Sequence, residues 1–226
     1  MSLCEVCRKE KSAVKFRYSP VMCPECFSRV FEKRIKKQLR KEKIVKNLNL
    51  SAKKKASNRI LLIDNESLKS KVDLFVIKKI IRNPKIAIIE KKSKVAYESI
   101  FENRELLKFI AKNKINVIII PWSCEDEIKY FLMETFAGKR PEYLGFSIKK
   151  CNSIFVKLLR NEIEKEIELY AKFKKLRISK IDKEKTEKNE KNFEKTLIKE
   201  IDKLEKRYPG TKFAFLKSID WMHGNI

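Results

Sequence analysis

Four cysteines near the amino terminus have the residue type and the spacing of a metal site. They form two Cys-x2-Cys pairs, Cys4 with Cys7 and Cys23 with Cys26, with fifteen residues between the pairs. Each pair puts two thiolates on one tight turn, and the interval allows a hairpin that turns the second pair toward the first. Four thiolates fit the tetrahedral preference of zinc and leave no open position. The sequence therefore predicts a zinc-binding module in residues 1–31, stabilised by the metal rather than by a core of its own.

Other uses of these four thiols stay open: two disulfides, an iron–sulfur cluster, or a redox-active pair. Disulfides are rare in intracellular proteins, although those of hyperthermophiles are an exception. The other two cysteines, Cys124 and Cys151, have no partner motif. Since an isolated cysteine is most often a small buried hydrophobe, we expect both to be buried. Cys124 also follows a predicted parallel strand, and α/β folds place their sites at that edge of the sheet.

The composition predicts a polyanionic partner and excludes common nucleotide-binding loops. Lysine and arginine number 55 against 30 acidic residues, for a formal net charge of +25 in 226 residues. Such an excess of positive charge is typical of proteins that bind nucleic acid. The chain has four glycines and none before Gly138, so neither a Walker A loop nor a Gly-x-Gly-x-x-Gly turn can be formed.

No segment predicts a membrane span. The longest uncharged run, residues 115–124, is about half of the ~20 residues that a span requires. We therefore expect a cytoplasmic protein. The abundance of lysine, isoleucine and glutamate is typical of thermophiles, and of AT-rich genomes as well.

A basic segment follows the cysteines. Residues 33–59 contain twelve lysines and arginines and a single acid, Glu42, and Ile35 and Leu39 mark one apolar side. This pattern predicts a basic helix and linker over residues 32–58 that contacts phosphates, with a solvated helix as the alternative. The predicted nucleic-acid-binding residues are Lys33, Arg34, Lys36, Lys37, Arg40, Lys41, Lys43, Lys46, Lys53, Lys54, Lys55 and Arg59.

From residue 59 onward, short apolar runs alternate with amphipathic stretches. The runs predict buried strands at Ile60–Ile63, Ile86–Ile89 and Val117–Ile120, and a further strand at Lys212–Leu216. Such alternation implies right-handed crossovers. We therefore predict an α/β domain over residues 59–226, a Rossmann-like parallel sheet flanked by helices. The predicted helices are Leu68–Arg82, Ile100–Lys112, Glu125–Phe136, Asn161–Leu176 and one from Phe193 to Tyr208.

The order of these features resembles one protein family. Two Cys-x2-Cys motifs, a basic helix and an α/β domain are similar to the tRNA 2-thiolation enzymes, the PP-loop ATP pyrophosphatases that replace an oxygen with sulfur on a tRNA uridine. Further similarity lies, in the family's order, at Leu132–Gly138, Glu164–Ala171 and Leu204–Ser218. The resemblance implies the PP-loop fold for residues 59–226 and tRNA as a partner. Phe16, Arg17, Tyr18 and Phe27 would either stack on unpaired tRNA bases or form the small core of the module.

The residues that hold ATP in that family are missing. The family's Ser-Gly-Gly-x-Asp-Ser motif follows the first strand, where this chain has Asp64–Ser70, without glycine and with an extra acid. Pro121 and Trp122 replace the Gly-His of the family's acidic motif, of which Glu125 and Asp126 remain. The central cysteines that hold an iron–sulfur cluster in active members have no counterpart.

These departures resemble the non-catalytic second subunit of the eukaryotic cytosolic thiolase. The resemblance implies a zinc-containing, tRNA-binding subunit with no catalytic residues and no ATP binding. Its partner would be an active PP-loop paralogue, in a heterodimer, or a second copy of itself. Two alternatives stay open: an enzyme in which Cys124 or Cys151 carries sulfur as a persulfide, and a zinc-ribbon RNA-binding protein unrelated to thiolation.

Overall fold

The computed structural model describes residues 3–9, 14–16, 19–44, 58–93, 100–176 and 192–224. These residues form seven helices and five strands. The helices are α1 (Pro24–Lys41), α2 (Leu68–Ile80), α3 (Arg104–Lys112), α4 (Cys124–Phe136), α5 (Glu164–Phe173), α6 (Asn192–Arg207) and α7 (Thr211–Gly224). The strands are β1 (Asn58–Asp64), β2 (Ile86–Lys92), β3 (Val117–Ile120), β4 (Ser147–Lys150) and β5 (Ser153–Lys157).

The five strands form one sheet in the order β2-β1-β3-β5-β4. β1, β2, β3 and β5 are parallel, and β4 is antiparallel to β5 at one edge. Leu61 on β1 pairs with Ile89 on one side and Ile118 on the other. All four residues of β3 are buried, as expected for a parallel strand covered by helices on both faces. The predicted mainly parallel sheet is confirmed.

The two faces of the sheet carry two separate hydrophobic clusters. Alternate residues of β1 point to opposite faces: Ile60 joins the cluster with α1, α2 and α5, and Leu61 joins the cluster with α3, α4, α6 and α7. The first cluster also contains Cys4, Cys23 and Cys26. The four-cysteine segment and the sheet therefore share one continuous core.

Helix α1 spans the domain boundary predicted between residues 31 and 32, and its buried residues on both sides of that boundary belong to this shared core. It begins directly after Cys23, and Phe31, Ile35 and Leu39 are buried against the sheet. The remainder of the predicted linker, residues 45–57, lies outside the described residues. Within the described ranges, no helix is both long enough and apolar enough to cross a bilayer.

The carboxyl-terminal segment differs from the prediction. Lys212–Leu216 was expected to form a strand, and it is instead the first turn of α7. The prediction was wrong because Lys212, Leu216 and Ile219 are the buried residues, at intervals of four and three that belong to a helix. Gly210, with a φ of 96°, makes the turn that separates α6 from α7.

The β4–β5 hairpin was not predicted, and it corrects the expectation for one cysteine. Cys151 and Asn152 form its turn, with positive φ angles of 52° and 61°, the geometry of a two-residue hairpin turn. Cys151 is exposed there, so the expected burial of this cysteine was wrong. A residue in a turn at the edge of a sheet is covered by no neighbouring strand or helix, so its side chain stays exposed.

Candidate functional site

The first pair of cysteines lies on a closed turn. The backbone N–H of Arg8 donates to the carbonyl of Cys4 over 2.8 Å, and Arg8 has a φ of 58°. The N–H of Glu5 donates to the carbonyl of Val21 over 2.8 Å. This bond ties the first turn to the chain segment that leads into the second pair.

The second pair lies at the start of α1. Cys23 is the N-cap residue, and its Sγ accepts a hydrogen bond from the N–H of Cys26 over 3.4 Å. Pro24, at the beginning of the helix, has the fixed φ that suits a first helical turn. A short antiparallel bridge of Val14 with Met22 brings the hairpin between the two pairs back on itself. Both pairs thus face each other, as predicted.

The four thiols converge as metal ligands would. The Sγ atoms of Cys4, Cys7, Cys23 and Cys26 all lie within 4.8 Å of one another, and those of Cys7 and Cys23 are 3.9 Å apart. Four thiolates around one tetrahedral ion with bonds of about 2.3 Å would lie about 3.8 Å apart. A disulfide would bring two sulfurs to about 2.05 Å, and all four cysteines are unbridged. The cluster could therefore hold a metal ion.

Protonation differs between the thiols of this cluster. Burial opposes the charged form of Cys4, but backbone N–H groups near Cys7 and Cys23 outweigh it and lower the pKa of Cys4 to about 6. Burial and the neighbouring Cys23 thiol raise the pKa of Cys26 to about 12. The protein alone therefore favours the thiolate form of Cys4. Deprotonation of Cys26 is unfavourable unless a cation shares the charge.

The basic residues of α1 lie mainly on its solvent side. Lys33, Lys36, Lys37 and Arg40 are exposed, and each lies three or four residues from another of the set, on one side of the helix. We call these four residues the basic face. Within the part of the chain that the structure describes, no carboxylate lies within ion-pair distance of the basic face. Lys41 and Lys43 are also exposed, at the end of the helix.

Arg34 points away from the basic face. Its guanidinium binds Glu162 and Glu166, two almost fully buried carboxylates at the start of α5. Burial opposes the charge of Arg34, but these two carboxylates outweigh that effect and raise its pKa. The Arg34 side chain is 37% exposed, and it connects α1 to α5.

Arg59, another predicted RNA contact, is not part of the basic face. Arg59 is half-buried near the start of β1, where its guanidinium donates to the carbonyl of Asn113 over 2.9 Å. Lys46, Lys53, Lys54 and Lys55 lie outside the described residues.

The carboxyl ends of β1 and β3 define a second candidate site, which we call the crevice. The chain leaves β1 toward β2 on one side and returns to β3 on the other, so these two strand ends form the topological switch point at which α/β folds bind ligands. The crevice also includes the amino termini of α2 and α4.

The turn after β1 satisfies its own backbone donors. A carboxylate oxygen of Asp64 accepts from the N–H of Glu66 over 2.9 Å and from the Ser70 hydroxyl over 2.7 Å. The side chains of Asn65 and Ser67 accept from the N–H groups of Ser67 and Ser70. Glu66 has a φ of 63°, a conformation that glycine adopts more readily. Donors that would surround a phosphate are bound by the chain itself.

Lys69 bridges the two sides of the crevice. Its Nζ lies 2.6 Å from Asp126 on α4 and 3.0 Å from Glu164 on α5. Burial alone would raise the pKa of Asp126, but the Lys69 ammonium and the N–H of Ser123 hold it below its ordinary value. Deeper in the fold, Glu125 lies 2.6 Å from the buried Nζ of Lys212 on α7. Both acids retained in the sequence motif are thus neutralised by lysines of the chain.

Sequence reasoning missed the lysines of this network. Lys69 is separated by 57 residues from Asp126 and by 95 from Glu164, and no local spacing signals such a contact. Lys212 was assigned to a strand, which removed it from consideration. The acids themselves, Glu125 and Asp126, were correctly placed after β3.

The remaining cysteines cannot act together. Cys124 follows β3 at the carboxyl edge of the sheet, whereas Cys151 precedes β5 at the amino edge, so a strand length of roughly 15 Å separates the two edges. Cys124 is fully buried, as expected. Burial, together with the carboxylate of Glu125, raises the pKa of the Cys124 thiol, and a protonated buried thiol is a poor nucleophile.

The fold has a counterpart among solved structures. The U34-tRNA thiolase NcsA from Methanococcus maripaludis, solved with its [4Fe-4S] cluster, superimposes with a TM-score of 0.78 at 15% sequence identity. The match covers 99% of this chain and 88% of the thiolase. This chain has the fold of that thiolase. The α/β fold predicted from the family resemblance is thereby confirmed.

Sequence comparison alone finds no such relative. No protein-family model matches the chain, and no curated protein matches it. At 15% identity the likeness to NcsA concerns the fold, and the residues of this chain have to carry any statement about its function.

Proposed function

We propose that the chain is a non-catalytic, tRNA-binding subunit of a tRNA wobble-uridine thiolation complex. It would pair with an active PP-loop thiolase, or with a second copy of itself. The single observation that carries the proposal is the self-occupied crevice within a thiolase fold. The turn after β1 is bonded to its own side chains, and Lys69 joins Asp126 to Glu164 across the opening.

This arrangement disfavours nucleotide binding for two physical reasons. A phosphate entering beside Asp64 would have to displace a carboxylate from the N–H of Glu66 and would meet like charge. It would also have to separate Lys69 from Asp126, a nearly buried ion pair, and leave that acid without a partner. Neither cost is offset by a glycine-rich loop.

The four-cysteine site supports a structural zinc ion. The Cys7–Cys23 sulfur distance of 3.9 Å is close to that expected around one ion. The cysteines of a [4Fe-4S] cluster bind different iron atoms and must therefore spread further apart. Zinc would hold the hairpin on α1, and Cys4, Cys7, Cys23 and Cys26 would be its four ligands.

The basic face supports tRNA as the partner. Lys33, Lys36, Lys37 and Arg40 present four positive charges on one side of α1. Such a row binds phosphates without reading sequence. The active subunit would then supply ATP and sulfur chemistry to a tRNA that this chain helps to position.

Exposed apolar side chains support a protein partner. Phe193 on α6, Tyr208 directly after α6 and Trp221 on α7 are more than half exposed. Exposed aromatic residues are typical of protein interfaces. We place the contact with the active thiolase on these two helices.

The proposal is tested by ATP titration calorimetry and by reconstitution. We expect no heat of binding with Mg–ATP, under conditions in which an active PP-loop thiolase binds it. Tagged chain purified from its native source should carry tRNA, an active thiolase subunit and one zinc per chain. Tight, magnesium-dependent ATP binding by the isolated chain would contradict the proposal.

The sulfur-carrier alternative is tested in the same reconstituted system. A double variant, Cys124→Ser with Cys151→Ser, should support as much tRNA thiolation as the unmodified chain. Loss of thiolation with a folded double variant would favour the enzyme. RNA binding without any thiolase partner would favour the zinc-ribbon alternative.

A further inference from the structure

A groove of about 400 Å³ lies between the hairpin of the cysteine segment and α5. We call it the module groove. Its volume is within the range of sites for single small ligands. The hairpin and α5 contribute Val14, Lys15, Phe16, Lys165, Glu168, Leu169 and Lys172.

The lining of the module groove combines apolar and positive groups. Val14, Phe16 and Leu169 are at least half-buried, whereas the lysines at positions 15, 165 and 172 are exposed. Three ammonium groups face a single carboxylate, that of Glu168. An anion with an apolar or aromatic portion would fit this arrangement better than a cation or a purely apolar ligand.

Phe16 is a preorganised aromatic surface. Its ring stacks on Phe27 with 6.1 Å between centroids and an angle of 30°, and Phe27 in turn meets the edge of Phe173 at 5.9 Å. Phe27 is buried, while Phe16 is partly exposed. Rings held in this way beside cationic side chains are the usual contacts of unpaired nucleic-acid bases.

The module groove borders the seam between α1 and α5. The two helices pack closely, since the rings of Phe31 and Tyr170 stack at 4.4 Å and Arg34 binds Glu166. Phe27 meets Phe173 and Phe31 meets Tyr170, so the two helices run antiparallel. The module groove lies at the Phe27 end of this seam, because Phe16 stacks on Phe27.

We propose that the module groove binds one unpaired nucleotide of an RNA strand. The base would stack on Phe16, and adjacent phosphates would bind Lys15, Lys165 and Lys172. This inference rests on the proposed RNA-binding function and adds to it a preference for single-stranded RNA, which phosphate contacts on the basic face do not provide.

The test compares two labelled RNAs by fluorescence anisotropy, a single strand of about eight nucleotides and a duplex of the same length. Phe16→Leu keeps an apolar side chain on Phe27 but removes the aromatic face, so its effect does not depend on misfolding. We expect it to weaken single-strand binding about tenfold and to leave duplex binding unchanged. Phe136→Leu, at an exposed ring at the end of α4, is the matched control and should change neither.

Two further variants separate this inference from the proposed function. Lys165→Ala with Lys172→Ala should weaken single-strand binding as well, while Lys33→Glu with Lys37→Glu should weaken both RNAs. If the basic-face variant reduces binding but the groove variants do not, the groove inference is wrong and the proposed function stands. If the unmodified chain binds neither RNA, both are wrong. A polyglutamate peptide should displace the labelled single strand less effectively than unlabelled single-stranded RNA does. Equal displacement by the two would also overturn the groove inference.

Discussion

The cysteine cluster and the crevice use similar polar groups in opposite ways. In the cluster, the four thiols converge to within 4.8 Å of one another. In the crevice, Asp126 and Glu164 also converge, but Lys69 lies between them. The first arrangement has the side chains of a metal site, whereas the second already holds a lysine of the chain between its two carboxylates. A cluster of ligand-type residues is informative about function only when the countercharge is known.

The largest expected effect is the loss of the metal from the cluster. Cys23→Ser should abolish metal binding and lower the free energy of unfolding by more than about 4 kcal/mol, because the ion would join the hairpin to the start of α1. Thermal melts and metal analysis of the purified protein measure this. Cys151→Ser, at the exposed hairpin turn, is the control and should retain both metal and stability. Equal stability of the two variants would mean that the cluster holds no structural ion.

The next effect separates the bound arginine of α1 from its exposed lysines. Arg34→Ala removes the partner of Glu162 and Glu166 and should cost about 3 kcal/mol, the lower end for a buried pair since the guanidinium is partly solvated. Denaturant unfolding measures it. Lys33→Ala, one residue earlier on the exposed face, should stay within about 0.5 kcal/mol of the unmodified chain. If Arg34→Ala lowers the free energy of unfolding only slightly, the Arg34 ion pair does not stabilise the fold, and Arg34 again becomes a candidate RNA contact.

A smaller, pH-dependent effect is expected in the crevice. The pKa of Asp126 is held below its ordinary value, so its ion pair with Lys69 stabilises the fold above about pH 4 and less as the pH falls through the lowered pKa. Asp126→Asn should therefore cost about 2 kcal/mol at neutral pH.

The free energies of unfolding of Asp126→Asn and of the unmodified chain should converge at acidic pH. Asn cannot titrate, so the difference between Asp126→Asn and the unmodified chain should shrink as the pH falls below about 4. A difference that stays constant with pH would mean that the Lys69 pair contributes nothing to stability.

The smallest effect concerns the salt dependence of RNA binding. Each lysine substitution that removes one phosphate interaction should reduce the slope of log K against log salt by about 0.7 for a single strand. Replacing Lys36 with Ala should therefore change the slope and leave the melting temperature unchanged. Lys85→Ala, an exposed lysine before β2, is the control. If Lys36→Ala leaves this slope unchanged, Lys36 makes no phosphate contact and the basic face is not part of the RNA-binding surface.

The sequence predicted those features that depend on local spacing. The two Cys-x2-Cys pairs indicate a metal site because the four positions alone fix which thiols meet. Three parallel strands were predicted because Ile60, Ile86 and Val117 begin runs that are apolar on both faces. The basic residues of α1 were predicted to share an exposed side for the same reason, since the apolar positions Ile35 and Leu39 define the opposite side.

The features that the sequence did not reveal depend mostly on contacts between distant residues. Arg34 looks like its basic neighbours, and only α5 reveals that it binds Glu162 and Glu166. In the sequence, Lys212 looks like part of an apolar strand. Its burial on α7 is explained by its ion pair with Glu125, 87 residues away. Cys151 was expected to be buried because isolated cysteines usually are, and the β4–β5 turn that exposes it has no glycine to mark it. Charge alone does not say whether a side chain faces solvent or another element.

Helix α1 connects the metal site to the rest of the domain. Its first residue follows a ligand, Cys23, and its later residues Phe31 and Leu39 lie in the same cluster as Ile60 of the sheet. Because an ion that binds only the folded chain stabilises whatever folds with it, an ion held by the four cysteines would stabilise the whole domain. The surrounding concentration of that ion would then set how long the domain stays folded and how readily proteases cleave it.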